Sequence, residues 1–217
     1  MQLFEAIVEA NHRALAGDER AGLRPDEFAA SLPVAVLTCF DPRMHPLMPE
    51  VLGLPEADFI WITNAGNVVT SPLGGTAQSL ALACAVHDAK EIAVIGHTDC
   101  RFFQLKQQWL ADRLPGRIPG AGSAIGHLEA FLSRLVNERS NVMASVRALR
   151  ESHLLPRQVP VHGLMVDIET GQLEWVTNGY TALLAATELH QQPLPPPGAL
   201  AHPDFRIGDD LPPIGST

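Results

Sequence analysis

The sequence predicts an α/β fold: a central, mainly parallel sheet flanked by helices, with a helical arm at the N-terminus. Two observations predict it. Three short apolar runs, Val34-Ala35-Val36-Leu37, Phe59-Ile60-Trp61-Ile62 and Ile92-Ala93-Val94-Ile95, are continuous rather than alternating. That is the pattern of strands buried on both faces. Between the second and third, residues 71–88 are dominated by Ala and Leu. Strand, helix and strand therefore alternate, as in a βαβ crossover.

Taken in order, Leu3, Phe4, Ile7, Val8 and Leu15 fall at helical spacing, and Gly17 ends the pattern. Residues 18–31 are polar and loop-like, completing an N-terminal arm over 1–30. The helix of 71–88 is expected to open at Ser71-Pro72, an N-cap followed by proline in the first turn. Helices are also expected over 103–113 and 124–150, the second carrying Val142, Val146 and Leu149 on one face and stopping before Pro156. Val161–Val166 and Leu173–Val176 flank Glu169-Thr170-Gly171, which reads as a hairpin or tight connection. A short helix is expected over 179–190. The division is one domain over 1–190 and an extended tail over 191–217, which holds seven prolines.

Composition narrows the function. With 217 residues and 46% hydrophobic content, the chain can bury a real core. A net charge of −9 disfavours phosphate backbones, so no nucleic-acid partner is expected. No apolar run reaches the ~18–20 residues of a membrane helix, and Met1-Gln2-Leu3-Phe4-Glu5 has no signal-peptide character. The expected compartment is the cytoplasm, where three unevenly spaced cysteines stay reduced.

The chemistry lies at two strand ends. The first run leads into Thr38-Cys39-Phe40-Asp41-Pro42-Arg43 and the third into Gly96-His97-Thr98-Asp99-Cys100. Parallel strands deliver their C-terminal ends to one edge of the sheet, where open α/β folds place their sites. Cys39, His97 and Cys100 are thus expected together. Two thiolates and an imidazole suit zinc, and three protein ligands leave a fourth position for chemistry. The inert alternative is a structural site closed by Asp41. Cys84, beside Leu82 and Val86, reads as a small buried hydrophobe. His45 and the remaining histidines read as solvated or structural. Gly120-Ala121-Gly122-Ser123-Ala124-Ile125-Gly126 lacks the spacing and the preceding strand of a dinucleotide fingerprint, and reads as a glycine loop with Ser123 capping a helix.

These residues resemble the β-class carbonic anhydrases in their small bacterial form. The family's C-x-D-x-R is matched by Cys39 to Arg43, and its H-x-x-C by His97 to Cys100. Further similarity lies in Asn64-Ala65-Gly66-Asn67-Val68-Val69, in Ser79-Leu80 through Lys90-Glu91-Ile92, and in Ser145-Val146-Arg147 through Val161-His162-Gly163 to Gly171. The likeness covers about 30–177. It implies zinc on Cys39, His97 and Cys100, with Asp41 and Arg43 as a dyad. Arg43 would orient Asp41 toward zinc-bound water, and in a closed state Asp41 would move onto the metal. The implied reaction is hydration of carbon dioxide to bicarbonate by zinc-bound hydroxide. Carbonyl sulfide or carbon disulfide hydrolysis on the same scaffold, or zinc binding without turnover, are the alternatives. The resemblance also implies a homodimer, or an oligomer built from dimers, with the N-terminal helix reaching across the partner and the sheet running through the interface.

Three positions depart from the family's pattern. Arg101 follows the second cysteine where the family has glycine, so a reshaped turn or an added positive charge is expected there. Thr63 stands where arginine is common before Asn-Ala-Gly. Pro42 replaces a small residue and would stiffen the dyad loop.

Overall fold

A computed structural model describes residues 1–104 and 122–184. The expected tail over 191–217, the glycine run with Ser123, and most of the helices expected over 103–113 and 179–190 lie outside those residues or their described side chains.

The strands are β1 (Val34–Cys39), β2 (Phe59–Asn64), β3 (Glu91–His97), β4 (Val161–Val166) and β5 (Leu173–Thr177). They form one five-stranded sheet in the order β2-β1-β3-β4-β5. β2, β1, β3 and β4 are parallel, and β5 returns antiparallel to β4. Every residue of β1, β3 and β4 is buried. That explains the unbroken apolar runs of β1 and β3. β4 also holds the buried His162. β2, expected to be buried on both faces, is buried only at Phe59 and otherwise half-buried or exposed, as an outer strand.

The pleat sends successive side chains to two cores. Val34 and Val36 enter one, with Met44, Met48 and Leu52. Ala35 and Leu37 enter the other, with Leu80, Val142 and Leu149. The first core is covered by α1 (Leu3–Leu15) and α2 (Met44–Leu52). The second is covered by α3 (Gly75–His87) and by the last of three further helices, α4 (Arg101–Gln104), α5 (Gly122–Leu132) and α6 (Glu138–Glu151).

Several local expectations are corrected. α2 was not foreseen; it forms despite Pro49 in its interior and ends where Gly53 adopts a left-handed φ of 64°. α3 starts at Gly75 rather than Ser71. Ser71 and Pro72 instead form a tight turn, in which Leu73 N–H donates to Ser71 Oγ and Gly74 N–H to Ser71 O. The stretch expected as one helix over 124–150 is two, α5 and α6. Asn137 makes the break by accepting from Ser140 N–H as the N-cap of α6.

α1 packs on its own chain: Leu3, Phe4 and Ile7 are essentially fully buried in the first core, and the helix lies against α2 and β5. Its start is pinned by a buried polar cluster at the entry ends of β3 and β4. Phe4 N–H donates to the Tyr180 hydroxyl, which donates to Glu91 Oε2. His162, expected to be unremarkable, completes the cluster. Gly179 N–H donates to its Nδ1, so the proton sits on Nε2 and is donated to Glu91 at 3.1 Å. Burial, then the Glu91 carboxylate, pushes the Tyr180 phenol above its ordinary range. It therefore remains a donor.

Candidate metal centre

The register of the central strands builds the site. β1 pairs with β3 so that Thr38 lies opposite Ile95, which brings Cys39 and His97 to neighbouring strand ends. Past β3 the chain turns sharply at Asp99, a left-handed residue with φ 53°, and Cys100 comes back beside them. The ligand atoms of Cys39, His97 and Cys100 all lie within 4.8 Å of one another, and all three residues are buried.

The geometry suits a tetrahedral ion. The two sulfurs are 3.9 Å apart. That is far beyond a disulfide bond of about 2.0 Å. It matches the ~3.8 Å between two sulfurs that each bind one tetrahedral zinc at about 2.3 Å. His97 Nδ1–H donates to the Thr98 carbonyl at 2.9 Å. Nε2 is then a bare lone pair, and it is buried with no hydrogen-bond partner. An orphaned imidazole nitrogen beside two thiols is what a metal would satisfy.

Backbone N–H groups converge on the sulfurs. Gly66 N–H donates to Cys39 Sγ at 3.4 Å. The Cys39 thiol is drawn down to about 5, first by the hydrogen bond from the Cys100 thiol and then by the N–H groups of Gly66 and Asp41. That same bond, with burial, pushes Cys100 up. Two thiols this close hold one proton between them, and a dication would displace it.

Asp41 and Arg43 form a forked pair next to this cluster. Arg43 Nε and Nη2 donate to the two carboxylate oxygens of Asp41, each at 2.9 Å. Arg43 N–H adds a third donor at 3.1 Å. The guanidinium holds the Asp41 carboxyl down to about 2. Asp41 is therefore an ionised, oriented acceptor with a side chain only 2% exposed. In this arrangement it is engaged by Arg43 through both oxygens. His45 lies apart, exposed on α2 and 3.3 Å from Glu56.

A carbonic anhydrase family model matches residues 34–173. The solved structure of β-carbonic anhydrase isoform I from Trichomonas vaginalis superposes with a TM-score of 0.62 at 28% identity, covering 83% of this chain and all of that one. The chain belongs to the β-carbonic anhydrase family. Within it, YvdA of Bacillus subtilis (strain 168) is 30% identical over 189 residues, 83% of this chain and 94% of its own. A carbon disulfide hydrolase of Saccharolobus solfataricus is 40% identical over 156 residues, 64% of this chain and 74% of its own.

The departures from the β-carbonic anhydrase pattern do little to the fold of the site. Arg101 is exposed and already helical, as the first residue of α4. The turn that glycine would have served is made two residues earlier by Asp99. An aspartate tolerates left-handed backbone better than most residues. Pro42 and Thr63 are both exposed.

Sequence reasoning missed Asp99, which clasps Arg43 from the other side. Arg43 Nη1 donates to its carboxylate and Nη2 to its carbonyl, both at 2.9 Å. It also missed Glu138 and Asn141 on α6: Glu138 accepts from Cys100 N–H, and Asn141 donates to Gly66 in the loop after β2. The signal was present: Glu138, Asn141 and Ser145 recur at i, i+3 and i+7, so a polar stripe runs beside the apolar one.

Proposed function

We propose that this protein is a zinc lyase that hydrates carbon dioxide reversibly to bicarbonate, with Cys39, His97 and Cys100 as its metal ligands. The observation that carries the reading is the buried Cys39–His97–Cys100 cluster beside the Arg43-held carboxylate of Asp41. Two thiolates offset the charge of a zinc ion, and one neutral imidazole completes the set. When bound, zinc supplies Lewis acidity that makes water ionisable near neutral pH.

The chain's own residues do the rest. Asp41, ionised and held by Arg43, accepts a hydrogen bond from the nucleophilic water and fixes its direction. Arg43 stays in place because Asp99 also holds it. The rings of Phe40 and Phe102 join the two ligand loops edge to face, with centroids 4.8 Å apart.

A second reading is supported by the carbon disulfide hydrolase relative. Carbon disulfide and carbonyl sulfide are linear and isoelectronic in their valence shell with carbon dioxide, and the same nucleophile can attack them. Stopped-flow hydration with a pH indicator, run beside sulfide release from both compounds, separates the readings. Hydration well above buffer with little sulfide release supports the lyase. The reverse supports the hydrolase. A fully zinc-loaded protein inactive in both assays would be a zinc-binding relative without turnover.

The partner we infer is a second copy of the chain. β2 is an outer strand of the sheet, and such an edge offers unpaired backbone groups to another edge. Light scattering should give a dimer mass, or a multiple of it, at micromolar concentration. Among the described residues no helix is long and apolar enough to cross a membrane. The three free cysteines support a reducing, cytoplasmic setting.

A further inference from the structure

α6 approaches the sheet unusually closely. A Cβ on Gly96 would lie 2.6 Å from Val142 Cγ2, and one on Gly163 would lie 3.0 Å from Val142 Cγ1. The two glycines let Val142 sit on β3 and β4. This docking carries the polar stripe of α6 down onto the loop after β2, whose Gly66 meets Cys39 Sγ, and onto the loop after β3, which bears Cys100.

There each polar side chain of the stripe meets backbone. Asn141, 8% exposed, donates from Nδ2 to the Gly66 carbonyl at 2.6 Å. Glu138 Oε1 accepts from Cys100 N–H at 3.3 Å. Ser145 Oγ donates to Asn67 O and accepts from Val69 N–H, both at 3.1 Å.

Gly66 is the pivotal contact. Its φ of +70° aims its N–H at Cys39 Sγ, while Asn141 holds its carbonyl. A left-handed glycine has many alternatives, so something must choose one. A single amide on α6 thereby fixes the donor that meets one ligand sulfur. On the other loop Glu138 fixes the peptide of Cys100 and places a carboxylate one residue from a dication site.

We propose that Asn141 and Glu138 are positioning residues of the metal centre, holding from α6 the two loops that aim the Cys39 and Cys100 sulfurs. This rests on the proposed zinc ligation by Cys39, His97 and Cys100. It assigns α6 a role beyond packing. Outer-shell partners of this kind change metal affinity by about 10- to 100-fold when removed.

The test measures zinc affinity by chelator competition and apo-protein stability by urea, on the full chain. Asn141→Asp is the informative change: it is nearly isosteric, but it points a carboxylate oxygen at the Gly66 carbonyl. It should lose at least tenfold in zinc affinity and bind more weakly than Asn141→Ala. The cobalt-substituted Asn141→Asp protein should also show a shifted thiolate-to-cobalt charge-transfer band. Glu138→Ala should lose affinity, and Glu138→Gln, which keeps the acceptor, should recover part of it. Asn137→Ala removes only the N-cap of α6, and controls for lost helix stability. Affinities of the Asn141 and Glu138 variants within twofold of wild type, or losses no larger than that of Asn137→Ala, overturn the proposal. A wild-type chain that binds no zinc overturns the ligand assignment itself, and is recognised by failing before any variant is made.

Discussion

Arg43 grips Asp41 through both carboxylate oxygens, at 2.9 Å each, while Nη1 and Nη2 also donate to Asp99. One guanidinium thus bridges the loop after β1 and the loop after β3. Such a fork is a property of arginine that lysine lacks. Arg43→Lys should keep zinc content near wild type while the hydration rate falls by on the order of 10- to 100-fold, as expected for a misaimed catalytic group. Metal analysis and stopped-flow hydration on the same sample check this. A rate within twofold of wild type would show that the fork does not orient Asp41.

Tyr180 links the start of α1 to Glu91, far along the strands from the metal cluster. Tyr180→Phe strands the Phe4 N–H and removes one donor from the buried Glu91 carboxylate. A buried polar group left without its partner costs about 1–3 kcal/mol. Urea unfolding should report a loss of that size with zinc affinity unchanged. No change in the urea midpoint would mean that the cluster does not anchor α1.

Asp167 governs an acid-side contribution to stability. The N–H and hydroxyl of Thr170, with Glu169 N–H, hold its carboxyl below the ordinary value. A depressed folded pKa means that the stabilisation is complete above the unfolded value of about 3.9 and fades as pH falls through the lower folded value. Asp167→Ala should cost about 1 kcal/mol at pH 7. The gap between variant and wild type should narrow below about pH 4. Urea curves at pH 7, 5 and 3 check this, and a gap that stays constant would contradict it.

Gly96 precedes His97 and receives Val142. A methyl group there would meet Val142 at 2.6 Å and Met165 Sδ at 2.8 Å. Gly96→Ala should destabilise by about 1–3 kcal/mol through overpacking. It should also weaken zinc binding by pushing α6 away from the ligand loops. Urea unfolding and chelator competition measure the two effects. Wild-type values in both would show that α6 can shift without consequence.

How much of this was legible in the sequence follows from the range of the interactions. β1 and β3 were readable because strands buried on both faces leave unbroken apolar runs. Cys39, His97 and Cys100 were readable as neighbours because parallel strands share an edge. α2 was hidden by Pro46 and Pro49, which signal a break although the turn they interrupt is held by burial of Met44, Met48 and Leu52. The break between α5 and α6 depends on one cap, Asn137. The clasp of Asp99 on Arg43 spans 56 residues and that of Asn141 on Gly66 spans 75, and no local pattern reports such partners. The polar stripe on α6 was visible only as spacing, with nothing to say which loop it would meet.

The most direct test of the central claim is X-ray absorption at the zinc edge of the purified protein. The expected result is one zinc per chain with two sulfur neighbours near 2.3 Å and one imidazole nitrogen near 2.0 Å. The remaining neighbour should be a light atom, and Cys39→Ser should lose one sulfur or the metal. Zinc bound by four sulfurs, by oxygen and nitrogen alone, or equally well by Cys39→Ser with an unchanged spectrum, would contradict it.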